Sequence, residues 1–314
     1  MMSRIAYVHW DLDGIASGVE LLKHGTIDSI FIPYPGYYWI EEEWIDAMLS
    51  YNEVYILDMI PRERDLEILS NSFDKIHLYD HSPICRYIGK YPNLETICKD
   101  YPSTTYLIMK EYSLKPSFNI IIGLFNDIGD SIKSLGEWAI FKNILSKYDL
   151  DLDSLGKLCN VLNSPIYYPD LNLLYENIYL LSRELYRLDG IDSLDKRLRY
   201  INLASNLVNK IVSSTSYSGR CIYIEFKSRH YILPLLISRL IREYSSPFIL
   251  IDKGYFSRYI QIAAYNREGN YIDYIVKLRS LGYSAGGDIN FIGAIVDETG
   301  FNSIINEVKF ISGC

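Results

Sequence analysis

In the stretch Val8-His9-Trp10-Asp11-Leu12-Asp13-Gly14 an imidazole and two carboxylates occupy alternate positions. The preceding Ile5-Ala6-Tyr7-Val8 reads as a short buried β-strand. Successive side chains of a strand face opposite ways, so positions 9, 11 and 13 are expected to converge if the strand continues. Converging carboxylates repel each other, and holding them beside an imidazole without a cation between them is costly. Gly14 permits a tight turn, and Ser17 precedes an apolar helical pattern through Val19, Leu21 and Leu22. The expected order is strand, ligand-bearing turn, helix. The plain alternative is a polar strand-to-helix loop.

Three more groups of this kind close apolar segments. Asp58 ends Val54-Tyr-Ile-Leu-Asp58, Asp80 and His81 end His77-Leu-Tyr-Asp-His81, and Asp127 follows Ile120-Ile-Ile-Gly-Leu-Phe125. A lone Asp after a strand is usually a turn former or helix cap. Four such groups in one unit are hard to explain that way. The donors are hard oxygens and imidazole with no thiolate, which suits Mn²⁺ or Mg²⁺ better than structural zinc. A carboxylate bridging two ions about 3.5–4 Å apart would activate water and clamp both oxygens of an in-line phosphoryl displacement.

The elements that must position these groups alternate over the first 130 residues. Strands are expected at 5–8, 27–33, 54–57 and 75–79, with helical patterns between them, including 44–49 and 62–69. This pattern predicts an α/β fold with a mostly parallel, doubly wound sheet, whose ligands gather beyond the carboxyl ends of the strands. Residues from about 103 to 190 read as a helical extension, its last two helices separated by Pro165 and Pro169. A charged helical connector opens at Asp195-Lys-Arg-Leu-Arg199 and ends near the polar turn 213–219. Beyond it lies a second, smaller α/β pattern: strands near 221–226, 248–251 and 259–263, helices at 232–244 and 271–281, then Gly-rich Ser284-Ala-Gly-Gly-Asp288, a strand through Val296 and a last helix.

The chain has 314 residues, 49% hydrophobic and 22% charged, which describes a globular protein with room for about two domains. Its 29 tyrosines, with abundant Ile, fit an A+T-rich genome and a thermophile. A net charge of −8 argues against a broad basic surface for duplex DNA, though not against a local cationic groove or a site whose metals supply the positive charge. The five cysteines (Cys85, Cys98, Cys159, Cys221 and Cys314) are scattered without a CxxC pair, so a zinc ribbon is not expected and reduced thiols are. No apolar run approaches the roughly 18 residues of a membrane span. Met-Met-Ser-Arg ahead of the first strand is expected to leave no room for a targeting segment, which together with the cysteine pattern predicts a cytoplasmic protein.

With these motifs in place the chain resembles the DHH phosphoesterases: RecJ nucleases, nanoRNase/pAp phosphatases, cyclic-dinucleotide hydrolases and manganese pyrophosphatases. The first motif is His9-Trp-Asp11-Leu-Asp13-Gly14, the second Asp58, the third Asp80-His81-Ser82, and the fourth Asp127 in Asn-Asp-Ile-Gly-Asp, close to the archaeal form. The C-terminal part resembles the DHH-associated domain, with Ala285-Gly286-Gly287-Asp288 where that domain carries a Gly-Gly-Gly-His loop. The resemblance implies a catalytic domain at 1–193, a helical connector at 194–218 and a substrate-binding domain at 219–314. It implies two Mn²⁺ ions, with Mg²⁺ as the alternative. His9, Asp11 and Asp58 would serve one ion; Asp13, Asp58, His81 and Asp127 the other; Asp58 would bridge, and Asp80 completes the set of ligand candidates.

Two departures from the family bear on activity. Ser82 replaces the second His of the triplet, which in relatives touches phosphate; serine still donates a hydrogen bond but carries no charge and reaches less far. Asp288 replaces the loop His, and a carboxylate there repels phosphate unless a cation intervenes, while Asn290 stands near enough in sequence to substitute. Catalytic roles are expected at Asp58, His81 and Ser82, and substrate contacts at Arg267, Gly286, Gly287, Asp288 and Asn290. Lys227, Arg229 and His230 read as a solvated loop, Tyr37, Tyr38 and Trp39 as core or interface ahead of base stacking, and His24 and His77 as structural.

Three functions follow from the resemblance. The first is a Mn²⁺-dependent phosphodiesterase removing mononucleotides from single-stranded or short nucleic acid. The second is a weak or inactive RecJ-like subunit docked on a replication or repair complex. The third is a hydrolase of pAp, pyrophosphate or a cyclic dinucleotide. No membrane partner is expected, and the sequence leaves room for a homodimer.

Overall fold

The computed structural model describes residues 3–185, 187–215, 221–244 and 246–314. Most of the polar turn expected at 213–219 lies outside them. The first sheet is built from β1 (Arg4–Val8), β2 (Ser29–Phe31), β3 (Glu53–Leu57), β4 (Lys75–Asp80) and β5 (Leu94–Cys98), in the order β2-β1-β3-β4-β5. All its pairings are parallel. Val54 to Leu57 and Ile76 to Asp80 are buried without interruption, as expected of strands covered on both faces. The chain builds outward from β1 to β2 and then returns to β3, so the switch point lies between β1 and β3. Helices α1 (Leu12–Lys23), α2 (Glu42–Met48) and α3 (Glu63–Ser72) make the crossovers.

A helical layer follows: α4 (Thr104–Glu111), α5 (Phe118–Ile128), α6 (Trp138–Lys147), α7 (Leu152–Tyr167), α8 (Leu171–Ser182) and the long α9 (Leu194–Ser213). Pro165 sits inside the last turn of α7 rather than breaking it, and α8 stops at Ser182 rather than reaching 188. Helix α1 packs against α4, α5 and α8, which carries the helical layer onto the sheet.

The second sheet joins β6 (Ile222–Phe226), β7 (Phe248–Asp252), β8 (Tyr259–Tyr265), β9 (Ser284–Gly287) and β10 (Phe291–Asp297) in the order β6-β7-β8-β10-β9. Only β6 and β7 pair in parallel. Helices α10 (Leu233–Glu243), α11 (Ile272–Ser280) and α12 (Glu298–Ser312) accompany it. The Gly-rich segment is therefore an edge strand, not a loop. Gly287 needs its lack of a side chain: its φ is 139°, and a Cβ would run into the carbonyl oxygen of Phe291.

The two sheets meet through apolar and polar contacts. Ile84, from the short 3₁₀ turn Pro83–Tyr87, is fully buried among Ile275, Leu278 and Ala285 of the second sheet's core. Trp39 packs with Phe256 and Ile295. The Tyr255 hydroxyl donates to Pro35 O at 2.6 Å, and the hydroxyls of Tyr38 and Tyr231 lie 3.2 Å apart.

The cysteines depart from the expected reduced state. Cys85 is bonded to Cys98 and Cys221 to Cys314, leaving Cys159 as a buried free thiol. Sequence spacing could not show this, because the second pair, 93 residues apart, is brought together only by the fold. No helix among the described residues is long and apolar enough to cross a membrane.

Candidate metal centre

The acidic residues gather at the carboxyl ends of β1, β3 and β4, around the switch point, but not by the expected route. β1 stops at Val8, so residues 9, 11 and 13 are not three pleats of one strand. Asp11 is instead the N-cap of α1, its Oδ1 accepting from Gly14 N at 3.1 Å, and Asp13 lies in that helix's first turn. Gly14 serves close approach rather than a turn, since a Cβ there would come within 2.5 Å of His9 O. Asp13 is completely buried and accepts from the backbone N–H groups of Thr104 and Thr105, at 2.7 and 2.9 Å, and from the Thr105 hydroxyl. The N-termini of α1 and α4 thus both face the carboxylates, where free N–H groups and the helix dipole favour negative charge.

Asp58 stands at the centre. Its carboxylate lies 3.7 Å from His9 Nδ1 on one side and 3.6 Å from His81 Nε2 on the other. The Thr104 hydroxyl donates to Asp58 Oδ1 at 2.8 Å. The backbone of Asp58 is left-handed, with φ 60°, an uncommon state for a residue with a side chain. Around it the donors fall into two groups, His9–Asp11–Asp58 and Asp13–His81–Asp127, the ligand atoms of each within 4.8 Å of one another. His9 Nδ1 approaches Asp11 Oδ1 to 2.9 Å, and His81 Nε2 lies 3.4 Å from Asp127 Oδ2. Asn126 donates to Asp11 Oδ2 at 3.2 Å and to Asp127 Oδ1 at 3.0 Å, and Asn163 holds Asn126 Oδ1 at 2.7 Å. Asn126 thereby links the two groups. In sequence it is only a neighbour of Asp127, and nothing there marks it as a bridge.

Asp80 stands outside both groups. It is buried, and its Oδ1 accepts from Ser82 N at 2.6 Å. Ser82 Oγ donates to Gly287 O on β9 at 3.3 Å and accepts from Ile84 N, so its donor is already engaged. On the second sheet, Asp288 is exposed, and its Oδ1 accepts from Asn290 N at 2.7 Å. Arg267 lies in the turn after β8, and Asn266 N donates to Asn290 O, which sets that turn beside the 288–290 loop. Arg267, Asp288 and Asn290 therefore share one sheet end. Tyr38 stands at the cluster's edge, its ring 5.8 Å from that of His9, whereas Tyr37 and Trp39 pack on Phe256. His230 stacks on Tyr168 and His77 on Tyr55.

The electrostatics identify what the cluster lacks. Burial, then the charges of Asp13, Asp11, Asp127 and Asp80, push the Asp58 carboxyl well above the usual carboxylate range. Burial, then Asp13 and Asp11, do the same to Asp127. Burial raises Asp80 to about 6. At Asp11 burial acts upward, but the His9 charge and hydrogen bonds from His9 and Gly14 outweigh it and hold the group near 2. No Lys or Arg among the described residues forms an ion pair with any of these carboxylates, and His9 Nδ1 is buried without a well-directed hydrogen bond. An oxygen-rich pair of groups with orphaned imidazole nitrogen and no resident cation fits divalent metal ions.

The fold is that of the RecJ-type DHH proteins. An exonuclease RecJ solved with manganese superposes at a TM-score of 0.60 with 14% identity, over 99% of this chain and 90% of that one. RecJ from Thermus thermophilus, also with Mn²⁺, gives 0.61 and 15% over 99% of this chain, which spans about half (52%) of that longer protein. A pGpG-specific phosphodiesterase from Vibrio cholerae gives 0.50 and 15%, over 99% of each chain. No family model and no curated protein matches the sequence.

Proposed function

We propose that this chain is a divalent-metal-dependent phosphoesterase that hydrolyses single-stranded or short nucleic acid, releasing mononucleotides, with Mn²⁺ as the preferred ion. The observation that carries this is Asp58 set between two imidazole–carboxylate groups, the arrangement a bridging ligand requires. His9, Asp11 and Asp58 would hold one ion, and Asp13, Asp58, His81 and Asp127 the other. Bound ions would supply charge neutralisation and water activation. Asn126 orients Asp11 and Asp127, while Thr104 and Thr105 orient Asp58 and Asp13, so the ligands are held before any ion arrives. Asp80 keeps the 81–82 turn in place through Ser82 N. We assign 1–193 to catalysis, 194–218 to a connector and 219–314 to substrate binding, with Gly286 and Gly287 passing along the substrate and Arg267, Asp288 and Asn290 at its far end. A cytoplasmic location is compatible with the disulfides, since intracellular proteins of hyperthermophiles carry them.

The test is release of mononucleotides from a labelled 5-mer with Mn²⁺. Turnover by the native chain and its loss in Asp58→Asn support the reading. Absence of turnover on the 5-mer, pAp and pyrophosphate overturns it. One observation favours the second reading, a weak or inactive subunit of a replication or repair complex: the Ser82 donor is spent on Gly287 O. Recovery of a helicase subunit with an inactive chain would select it. Faster turnover of a 2-mer than of a 20-mer would select a small substrate such as a dinucleotide.

A further inference from the structure

Arg279, on α11, is a guanidinium only 8% exposed that belongs to none of the motifs. It forms no ion pair among the described residues. Instead it donates to three backbone carbonyls: Ile60 O at 3.2 Å and Pro61 O at 2.5 Å in the first sheet's unit, and Ala285 O at 3.2 Å on β9. Its hydrogen-bond acceptors are all neutral, and the nearby carboxylates of Glu63, Asp80 and Asp65 favour its charge without pairing with it, so this buried cation calls for an explanation beyond packing. Its partners supply one. Ile60 and Pro61 follow closely after the left-handed Asp58, and Ala285 directly precedes Gly286 and Gly287. Only a planar fork of several N–H groups reaches such divergent acceptors at once; an ammonium carries its donors on a single point.

The remaining ties between these segments are sparse. Ser82 Oγ touches Gly287 O at 3.3 Å, Ser284 Oγ donates to Tyr38 O at 3.3 Å, and Ile84 and Ile60 add apolar contact with the second sheet's core. None of these holds the backbone carbonyls after Asp58.

We propose that Arg279 is a positioning residue that locks the chain after Asp58 to the Gly-rich strand, fixing where β9 stands relative to the acidic cluster. This rests on the phosphoesterase reading for its catalytic consequence, but the mechanical link is independent of it. The link sets the offset between the residues that hold the ions and the strand along which substrate lies. Substrate that spans both is then bound in register, whereas ions bound by the first unit alone do not sense Arg279.

The experiment compares the native full chain with Arg279→Lys and Arg279→Met. Hydrogen exchange is followed by mass spectrometry on peptides covering 58–62 and 284–288. Both segments should exchange about tenfold faster in each variant, while peptides from β1 and β7 stay unchanged. Mn²⁺ affinity by calorimetry should remain within about threefold, and KM for the 5-mer should rise about tenfold with kcat much less affected. Should Arg279→Met fail to fold, Arg279→Lys carries the test. Unchanged exchange in either segment overturns the proposal, as does exchange accelerated throughout the chain with KM unaltered, which marks a folding role only. If the native chain hydrolyses nothing, the phosphoesterase reading falls, and the exchange result alone decides whether Arg279 makes the link.

Discussion

Asp58 combines a left-handed backbone, burial and four carboxylate neighbours. Replacing it with Asn keeps the shape and the Thr104 contact while removing the charge that a bridging ligand needs. Activity should fall at least about 1000-fold, with Mn²⁺ affinity reduced in the same sample by calorimetry; retained affinity would show that Asp58 does not ligate. Ser82→His restores an imidazole where relatives carry one, and kcat/KM on the 5-mer should rise about tenfold or more. An unchanged rate would move the weakness to Asp288. A separate pH effect belongs to Asp252, which burial raises to about 6 despite hydrogen bonds from Ser228 N and Gly254 N. Its folded value exceeds its unfolded one, so its contribution to stability is complete below about pH 4. That contribution is lost as pH rises to about 6, roughly 2–3 kcal/mol in all, and is level above. Asp252→Asn should flatten that interval in urea midpoints measured from pH 4 to 8. At this scale the types and spacing of His9, Asp11, Asp13, Asp58, His81 and Asp127 were legible, because chemistry restricts them. Arg279 was not, since an arginine on an amphipathic helix looks like any solvated cation until its two partners more than 200 residues away, Ile60 and Pro61, are known.

Among the elements, the N-termini of α1 and α4 converge on the acidic groups, an arrangement no local pattern announces. The strand expected to carry residues 9 to 13 gives way to a helix because Asp11 caps it. The strand β5 is silent in sequence because Leu94-Glu-Thr-Ile-Cys98 is a half-exposed edge without an apolar run, unlike Val54 to Leu57. Its last residue, Cys98, pairs in register with Asp80 and is bonded to Cys85, so the turn after His81 is stapled to that edge. The two disulfides close separations of 13 and 93 residues, which restrict the unfolded chain by about 3 and 4–5 kcal/mol. Urea unfolding of Cys98→Ser and Cys314→Ser should show losses of about that order. Midpoints equal to the native protein's would mean that the bonds are absent in solution.

Across the whole molecule, the net charge of −8 concentrates attraction for phosphate in the ion sites rather than on the surface. Oligonucleotide affinity with Ca²⁺ in place of Mn²⁺ should therefore weaken gently with salt, with a log–log slope of about 1–2; a slope near 6 would reveal a basic tract. The two-sheet plan was readable from alternating strand and helix signals, whereas the way the sheets meet depends on Ile84, Trp39 and Arg279, whose partners are remote in sequence. The bond between Cys221 and Cys314 has a mechanical consequence as well. It turns the second sheet into a covalent ring fastened to α9. A force drawing on Cys314 passes straight across the bond to Cys221 and never loads β6 to β10 in series, so the sheet unravels under that load only after a reductant has opened the bond.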